Sequence, residues 1–273
     1  MIRITQIERE PFRSERFLNA GRVQGSFYVD FLPIHTAAAD GLPDDLDAII
    51  ATADLQGRET FQQAKGQPLR LLGEVLPDVL VSEILPSIGL NDPHRIAVLL
   101  AGDFYTVPAL DRRGGSGDVT NVWMAFAESF GWVAGVAGNH DLFGSDSRDR
   151  LRSQSKMRFI DNGTAQAGNL QVGGLSGIIG DPARPWRRVE ADFNLEVEVL
   201  LESGLDAIVM HDGPSGPLSG QRGHNSTQAI CAAGRPTLIV RGHAHWDDPF
   251  CELANGTQIL NVDQRVVIIR RDR

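Results

Sequence analysis

Short apolar runs recur along the chain, and each ends in polar residues that are able to bind a metal or take part in catalysis. The runs are rich in Val, Ile, Leu and Ala and are bounded by turn residues, a pattern that predicts buried β-strands. Five runs share the pattern: LDAIIATAD ends at Asp54, HRIAVLLAGD at Asp103, WVAGVAGNHD at Asn139–His140–Asp141, LDAIVMH at His211, and PTLIVRGHAH at His243 and His245.

Segments with helical spacing of apolar residues separate these runs. They cover residues 58–80, 116–131, 188–204 and 225–234. Gly66 and Pro68 divide the first segment into two pieces, whereas the other three end at Gly131, Gly204 and Gly234, as helices commonly do. Strands that alternate with helices predict an α/β domain whose strands are largely buried.

Three further stretches are interpreted as β-structure. Residues 158–177 alternate and carry several glycines, which predicts a hairpin or meander. Residues 252–271 contain Asn255-Gly256, a strong hairpin turn, and predict antiparallel strands at the end of the chain. The segment GSFYVDFLPIHT lies within residues 1–46 and predicts one added strand. With no repeat or linker, the simplest prediction is a single domain over residues 1–273 with an N-terminal extension over 1–46.

Composition narrows the functional classes. Apolar residues make up 42% and charged residues 22%, values that are ordinary for a globular protein with a core. The net charge is −9 without any Lys/Arg stripe, which argues against duplex nucleic acid as a partner. No signal-peptide pattern or membrane-spanning run is present, so the expected location is the cytoplasm without membrane contact. Cys231 and Cys251 lack zinc-binding spacing and are expected to be buried free thiols.

The polar residues at the strand ends are expected to form one site. In open α/β sheets, ligands bind beyond the carboxyl ends of the strands. A single Gly-Asn pair after a strand is explained by a turn, but five strands that each deliver Asp, Asn or His are not. The pattern therefore predicts a functional site that is built from carboxylates and imidazoles.

The motifs resemble the calcineurin-like metallophosphoesterase superfamily. Blocks in the family's order run from ADLQG to GHAH, about residues 53–245, and Gly138–Asp141 (GNHD) together with Gly242–His245 (GHAH) is a specific combination. The resemblance implies a four-layer α/β/β/α sandwich with two mixed sheets. It also implies a two-metal site at the carboxyl ends of the strands.

The resemblance further implies a role for each site residue. Asp103 would bridge two divalent metal ions, while the remaining metal ligands would be Asp54, Gln56 and His245 for one ion and Asn139, His211 and His243 for the other. A hydroxide that bridges the ions would attack the phosphate. His140 would protonate the leaving oxygen, and Asp141 would hold the imidazole in its useful tautomer.

Two departures from the family pattern refine the expected activity. Gln56 stands where the family most often has histidine, and its harder, neutral oxygen favours manganese or magnesium, with iron or zinc as the alternatives. The segment GDFYTVP lacks the later aspartate and arginine of the Ser/Thr protein phosphatases, and Asp141 replaces their usual glutamate. The expected substrate is a small-molecule phosphomonoester or phosphodiester.

Alternatives stay open at this stage. One alternative is a hydrolase directed at nucleotides, which cleaves cyclic nucleotides or dinucleoside polyphosphates. The other, outside the hydrolases, is a non-catalytic metal-binding scaffold, which Gln56 favours and His140 disfavours. Arg58, Arg222 and His224 are candidates for substrate contact that compete with an ordinary structural or solvated role.

Overall fold

The computed structural model describes residues 1–60, 67–144, 151 and 154–272. The strands, in chain order, are β1 (Arg3–Ile7), β2 (Arg13–Ala20), β3 (Phe27–Asp40), β4 (Ala48–Ala53), β5 (Ile96–Leu100), β6 (Gly117–Asp118), β7 (Trp132–Gly135), β8 (Asp141–Leu142), β9 (Met157–Phe159), β10 (Gly163–Ala167), β11 (Leu170–Leu175), β12 (Ile178–Ile179), β13 (Arg187–Arg188), β14 (Ala207–Met210), β15 (Leu238–Arg241), β16 (Phe250–Glu252), β17 (Gln258–Asn261) and β18 (Arg265–Arg271). The α-helices are α1 (Leu72–Val79), α2 (Leu85–Ser87), α3 (Thr120–Ser129), α4 (Glu190–Glu202) and α5 (Asn225–Ala233).

The first mixed sheet has the order β1-β3-β18-β4-β5-β7-β9, with β2 paired to β3. Strands β4, β5, β7 and β9 are parallel neighbours, whereas β18 runs antiparallel to β4 and parallel to β3. Every residue of β4, β5 and β7 is buried. Burial on both faces explains why these strands are continuous apolar runs rather than alternating ones.

The second mixed sheet has the order β10-β11-β14-β15-β17-β16. Its four central strands are parallel, and an antiparallel strand lies at each edge. The hairpin predicted over 158–177 is confirmed as β10–β11, and the Asn255-Gly256 turn joins β16 to β17. After β17 the chain leaves this sheet, and β18 lies in the first sheet between β3 and β4.

The predicted helices over 116–131, 188–204 and 225–234 are confirmed as α3, α4 and α5. The prediction over 58–80 lies partly outside the described residues. Its described helix begins at Leu72 and continues past the predicted end, through a π-helical turn (Leu80–Ile84), into α2. Leu80, Ile84 and Leu85 are buried in the same apolar cluster, which accounts for the longer helix.

Three apolar clusters hold these elements together. One contains first-sheet residues such as Ile50 and Val98 together with Trp123 of α3. A second contains residues of both sheets, and alternate positions of β4 divide between these two clusters. The third joins the second sheet to Phe193 of α4 and Cys231 of α5. Cys231 and Cys251 are buried free thiols, as predicted.

Residues 1–46 form three strands, β1, β2 and β3, where the sequence pattern predicts one. The sequence pattern does not predict β2, which has the sequence RSERFLNA. Half of its positions are only partly buried, so the strand carries charged residues and shows no clear apolar period. Together with β3 it forms an antiparallel hairpin on the first sheet. Among the described residues, no helix combines the length and the apolar character needed to cross a membrane.

Candidate metal centre

The strand ends of both sheets meet at the candidate site. Asp54 directly follows β4, and Asp103 comes three residues after the end of β5. His211 directly follows β14, and its Nδ1 donates to the carbonyl oxygen of Ala101 at 2.8 Å. This hydrogen bond links a strand end of the second sheet to one of the first, so the polar residues of both sheets lie together.

The backbone at three of these positions is left-handed. Asp54, Asp103 and His243 have φ angles of 55°, 59° and 68°, a conformation that non-glycine residues seldom adopt. The carboxylates of Asp54 and Asp103 also lie against neighbouring main chain. A Cβ atom at Gly138 would lie 2.0 Å from Oδ1 of Asp103, and one at Gly242 would lie 2.4 Å from Oδ2 of Asp54. The motif glycines are therefore required by the close approach of the two carboxylates.

Asp103, His211 and His243 form a cluster of metal-type ligands. Their ligand atoms all lie within 4.8 Å of one another, and Nε2 of His211 is 3.3 Å from Oδ2 of Asp103. That contact lacks hydrogen-bond geometry, and Nε2 of His211 and Oδ1 of Asn139 are buried without a hydrogen-bond partner among the described residues. Buried polar atoms without partners are rare in folded proteins, and a divalent cation that displaces the proton of His211 Nε2 would satisfy both atoms. The cluster thus fits a metal.

The charges around the two histidines of the cluster shift their pKa values in opposite directions. Burial alone lowers the pKa of His211, but the facing Asp103 and the nearby Asp54 outweigh it and raise the pKa to about 10. Burial and the charge of His211 lower the pKa of His243 to about 4. A proton on His211 therefore occupies a place between carboxylates that suits a cation, while His243 keeps its lone pair free for a ligand bond.

A cavity of about 330 Å³ opens on this cluster. Of the predicted site residues, it is lined by Asp54, Gln56, Asp103, His140 and His243. Asp103 is central among them, because its Oδ1 accepts the His140 amide at 2.8 Å and its Oδ2 accepts the Gln56 Nε2 at 3.1 Å. Asn139 and His211 are buried.

His245 is not among the residues that line this cavity. Its side chain is 51% exposed, and its Nδ1 lies 3.3 Å from Oδ1 of Asp263. Asp263 itself lines the cavity, and the sequence reasoning missed it. Asp263 comes two residues after β17, so it follows a strand as the other candidate ligands do. The sequence pattern of this stretch predicts only a hairpin.

The expected role of Asp141 needs correction. Its carboxylate accepts the backbone amides of Asp103, Phe104 and Gly138 at 2.8 to 2.9 Å. It therefore joins the loops that follow β5 and β7 and does not orient the imidazole of His140. Nδ1 of His140 is buried and has no hydrogen-bond partner within the described part of the chain. Burial, reinforced by Asp103, raises the pKa of Asp141 to about 6.

Replacing Asp141 by alanine is expected to destabilise the metal-free protein by about 3 kcal/mol, because buried amide groups lose their acceptor. The free energy of unfolding, measured in urea with a chelator present, tests this. Asp111→Ala, at an exposed position, is the control and should change it by less than about 0.5 kcal/mol. An equally small change for Asp141→Ala would show that the loops are held by other contacts.

Two of the three other candidates for substrate contact, Arg58 and His224, are engaged elsewhere, whereas Arg222 is exposed. Arg58 is buried and donates to the carbonyl oxygens of Val107, Leu69 and Thr106, so its role is structural. His224 donates to Oδ2 of Asp212 at 2.6 Å. Neither side chain lines the cavity described above.

Comparison with known proteins adds an independent observation. A family model described as calcineurin-like phosphoesterase matches residues 48–247. No curated protein matches the chain. The solved structure of a protein of unknown function from Aquifex aeolicus is similar at a TM-score of 0.36 and 12% sequence identity, over 81% of this chain and 95% of that one. The family match leaves out strands β1 to β3 and the final strands from β16 onward.

Proposed function

The chain belongs to the calcineurin-like phosphoesterase family, and from that premise we propose that it hydrolyses phosphomonoesters or phosphodiesters of small molecules in a metal-dependent reaction. The observation that carries the proposal is the cluster of Asp103, His211 and His243, with the buried and unpartnered Nε2 of His211. A site of this composition attracts a phosphate only when cations reverse its charge, which agrees with a metal-dependent reaction.

The proposed ligand sets share Asp103. Asp54, Gln56 and His245 would complete one metal's shell, and Asn139, His211 and His243 the other's. Asp103 supports this division because its Oδ2 lies 3.1 Å from Nε2 of Gln56 and 3.3 Å from Nε2 of His211, one residue of each set. Nδ1 of His245 faces both Asp263 and Arg265, which leaves Nε2 of that ring for a metal. Bound divalent ions would acidify a water molecule and neutralise charge on the phosphate.

His140 is the proposed general acid for the leaving oxygen. It lines the cavity beside the cluster, and its backbone amide is fixed by Oδ1 of Asp103 at 2.8 Å. The hydrogen bond anchors the main chain and leaves the imidazole free to face the substrate. A scaffold without catalysis would have no need of an imidazole at this place.

The proposal includes a four-layer arrangement of one domain, with helices α1 and α3, the first sheet, the second sheet, and helices α4 and α5 as successive layers. The three apolar clusters support it, because each contains residues of two neighbouring layers. The N-terminal strands belong to the same sheet as β4, β5 and β7, which supports one domain rather than two.

The activity itself is tested with a panel of substrates. The chelated protein is supplied separately with Mn²⁺, Mg²⁺, Zn²⁺ or Ca²⁺ and is assayed on phosphomonoesters, phosphodiesters, cyclic nucleotides and dinucleoside polyphosphates. We expect turnover of small mono- or diesters, fastest with manganese or magnesium. Failure of every combination would favour the non-catalytic scaffold.

The unusual ligand Gln56 gives a prediction of its own. Replacing Gln56 by His is expected to raise affinity for zinc or iron at one site, because imidazole is a softer ligand than an amide oxygen. The site built by Asn139, His211 and His243 should barely respond. Metal titrations of Gln56→His, Gln56→Ala and the natural protein measure the effect.

The contrary result is equally defined. If Gln56 serves only as a hydrogen-bond donor to Asp103, Gln56→His leaves the metal preference unchanged and Gln56→Ala costs little affinity.

A further inference from the structure

The cavity extends past the metal cluster to a second polar wall. Asn19, Tyr28, Arg113 and Gln264 line it there, and its volume of about 330 Å³ lies within the range of pockets that hold whole small molecules. We propose that this wall is a subsite for a second anionic group, a phosphate or carboxylate, carried by the leaving group of the substrate. The inference rests on the proposed phosphoesterase function and deepens it.

The wall is organised around Asp30. Its Oδ2 accepts hydrogen bonds from Asn19 Nδ2, Tyr28 Oη and Gln264 Nε2, each at 3.1 Å. Oδ1 accepts the amide of Phe31 at 2.9 Å. These hydrogen bonds fix side chains from β2, β3 and the turn before β18 in one arrangement. Because Tyr28 gives its proton to Asp30, its oxygen is available as an acceptor for Nη2 of Arg113.

Arg113 supplies the positive charge of the subsite. Its Nε donates to the carbonyl oxygen of Ala20 at 3.2 Å, and its Nη2 donates to Tyr28 Oη at 3.4 Å. Within the described part of the chain, no carboxylate lies within 4.0 Å of its guanidinium. The guanidinium is thus held by neutral groups, and its charge stays available to an anion.

The subsite lies on the side of the proposed general acid. Gly114, next to Arg113, also lines the cavity, and a Cβ atom built there would lie 3.9 Å from Cε1 of His140. An imidazole that protonates the leaving oxygen faces the leaving group. The wall beside it therefore contacts the leaving group rather than the phosphate that is attacked.

Most of the wall lies outside the part of the chain that matches the family. Asn19, Tyr28 and Asp30 precede residue 48, and Gln264 follows residue 247. The matched region supplies the metal cluster, and the added strands supply these side chains. This division is expected where a shared chemistry is directed to a particular substrate.

Three two-carbon monoesters test the subsite: 2-hydroxyethyl phosphate, phosphoglycolate and ethane-1,2-diol bisphosphate. They present a hydroxyl, a carboxylate and a second phosphate, so they separate the two anions. We expect the natural protein to show a kcat/KM about 10–100-fold higher for at least one of the esters with an anionic second group than for 2-hydroxyethyl phosphate, whose second group is a neutral hydroxyl. Arg113→Gln should remove that advantage, mainly through KM, and leave 2-hydroxyethyl phosphate nearly unchanged.

Arg112→Gln is the matched control, because it removes the same charge from an exposed neighbouring position. It should keep the preference for the anionic esters. An equal loss on all three esters in Arg113→Gln would overturn the inference, since Arg113 would then contact the reacting phosphate. Absence of any anionic preference in the natural protein would overturn it as well.

A binding measurement separates this inference from the proposed activity. Calorimetry of the Mn²⁺-loaded protein with 2-hydroxyethylphosphonate, phosphonoacetate and ethane-1,2-bisphosphonate needs no turnover. We expect phosphonoacetate, ethane-1,2-bisphosphonate or both to bind about 10–100-fold more tightly than 2-hydroxyethylphosphonate. Arg113→Gln should abolish the difference. Preference in binding without hydrolysis of any ester would refute the activity alone. Hydrolysis without preference would refute the subsite alone.

Discussion

Asp103→Asn is expected to lower the rate of ester hydrolysis by roughly 10³-fold or more, because the proposed site loses the anionic ligand that both metal ions share. Metal content should fall together with activity. In the structure, Asp103 accepts hydrogen bonds from the His140 amide and from Gln56, so an amide nitrogen at this position would also face a donor. Elemental analysis of the purified variant and its steady-state kinetics measure the two effects.

A buried carboxylate in such a network also affects folding, so a separate measurement is needed. The circular dichroism spectrum and thermal midpoint of the chelated variant show whether the fold is retained. Asp111→Asn, at an exposed position, should keep full activity and metal content. If folded Asp103→Asn protein binds as much metal as the natural protein, the shared ligand is assigned wrongly.

His140→Ala is expected to slow hydrolysis of esters with poor leaving groups by roughly 10²–10⁴-fold while metal content is retained. Nitrophenyl esters should be affected much less, because nitrophenolate leaves without protonation. The comparison of alkyl and nitrophenyl esters in the same variant is therefore the decisive measurement. It separates proton donation from a general loss of the site.

His94→Ala is a suitable control because His94 is exposed and lies before β5, away from the carboxyl ends of the strands. It should leave both classes of ester unaffected. Equal slowing of both classes in His140→Ala would mean that the imidazole positions the phosphate and does not supply the proton.

The central strands and the meeting of Asp54 with Asp103 were predictable from the sequence. Strands β4, β5 and β7 are buried on both faces and leave unbroken apolar runs. Because the carboxyl ends of parallel strands share one edge, Asp54 and Asp103 were expected together, and both line one cavity. The family match over residues 48–247 agrees with the motifs that suggested the family.

Other features were hidden because they depend on partners that are distant in sequence. Asp141 directly follows His140, the proposed general acid, but its carboxylate accepts hydrogen bonds from three backbone amides of two loops. Strand β2 carries charges because it is half solvated, and an apolar period is weak there. The cavity wall at Tyr28 and Gln264 joins residues 236 positions apart, since β18 lies beside β3 in the first sheet.

The left-handed backbone at Asp54, Asp103 and His243 bears on the entropy of metal binding. Side chains attached to an unfavourable backbone conformation stay in place only when the surrounding fold imposes it, here through tightly packed glycines and buried amides. The proposed ligands therefore lose their conformational freedom during folding, before any ion arrives. Ion binding at the proposed site then carries little further ordering cost, and an apoprotein prepared by chelation should take up metal without refolding.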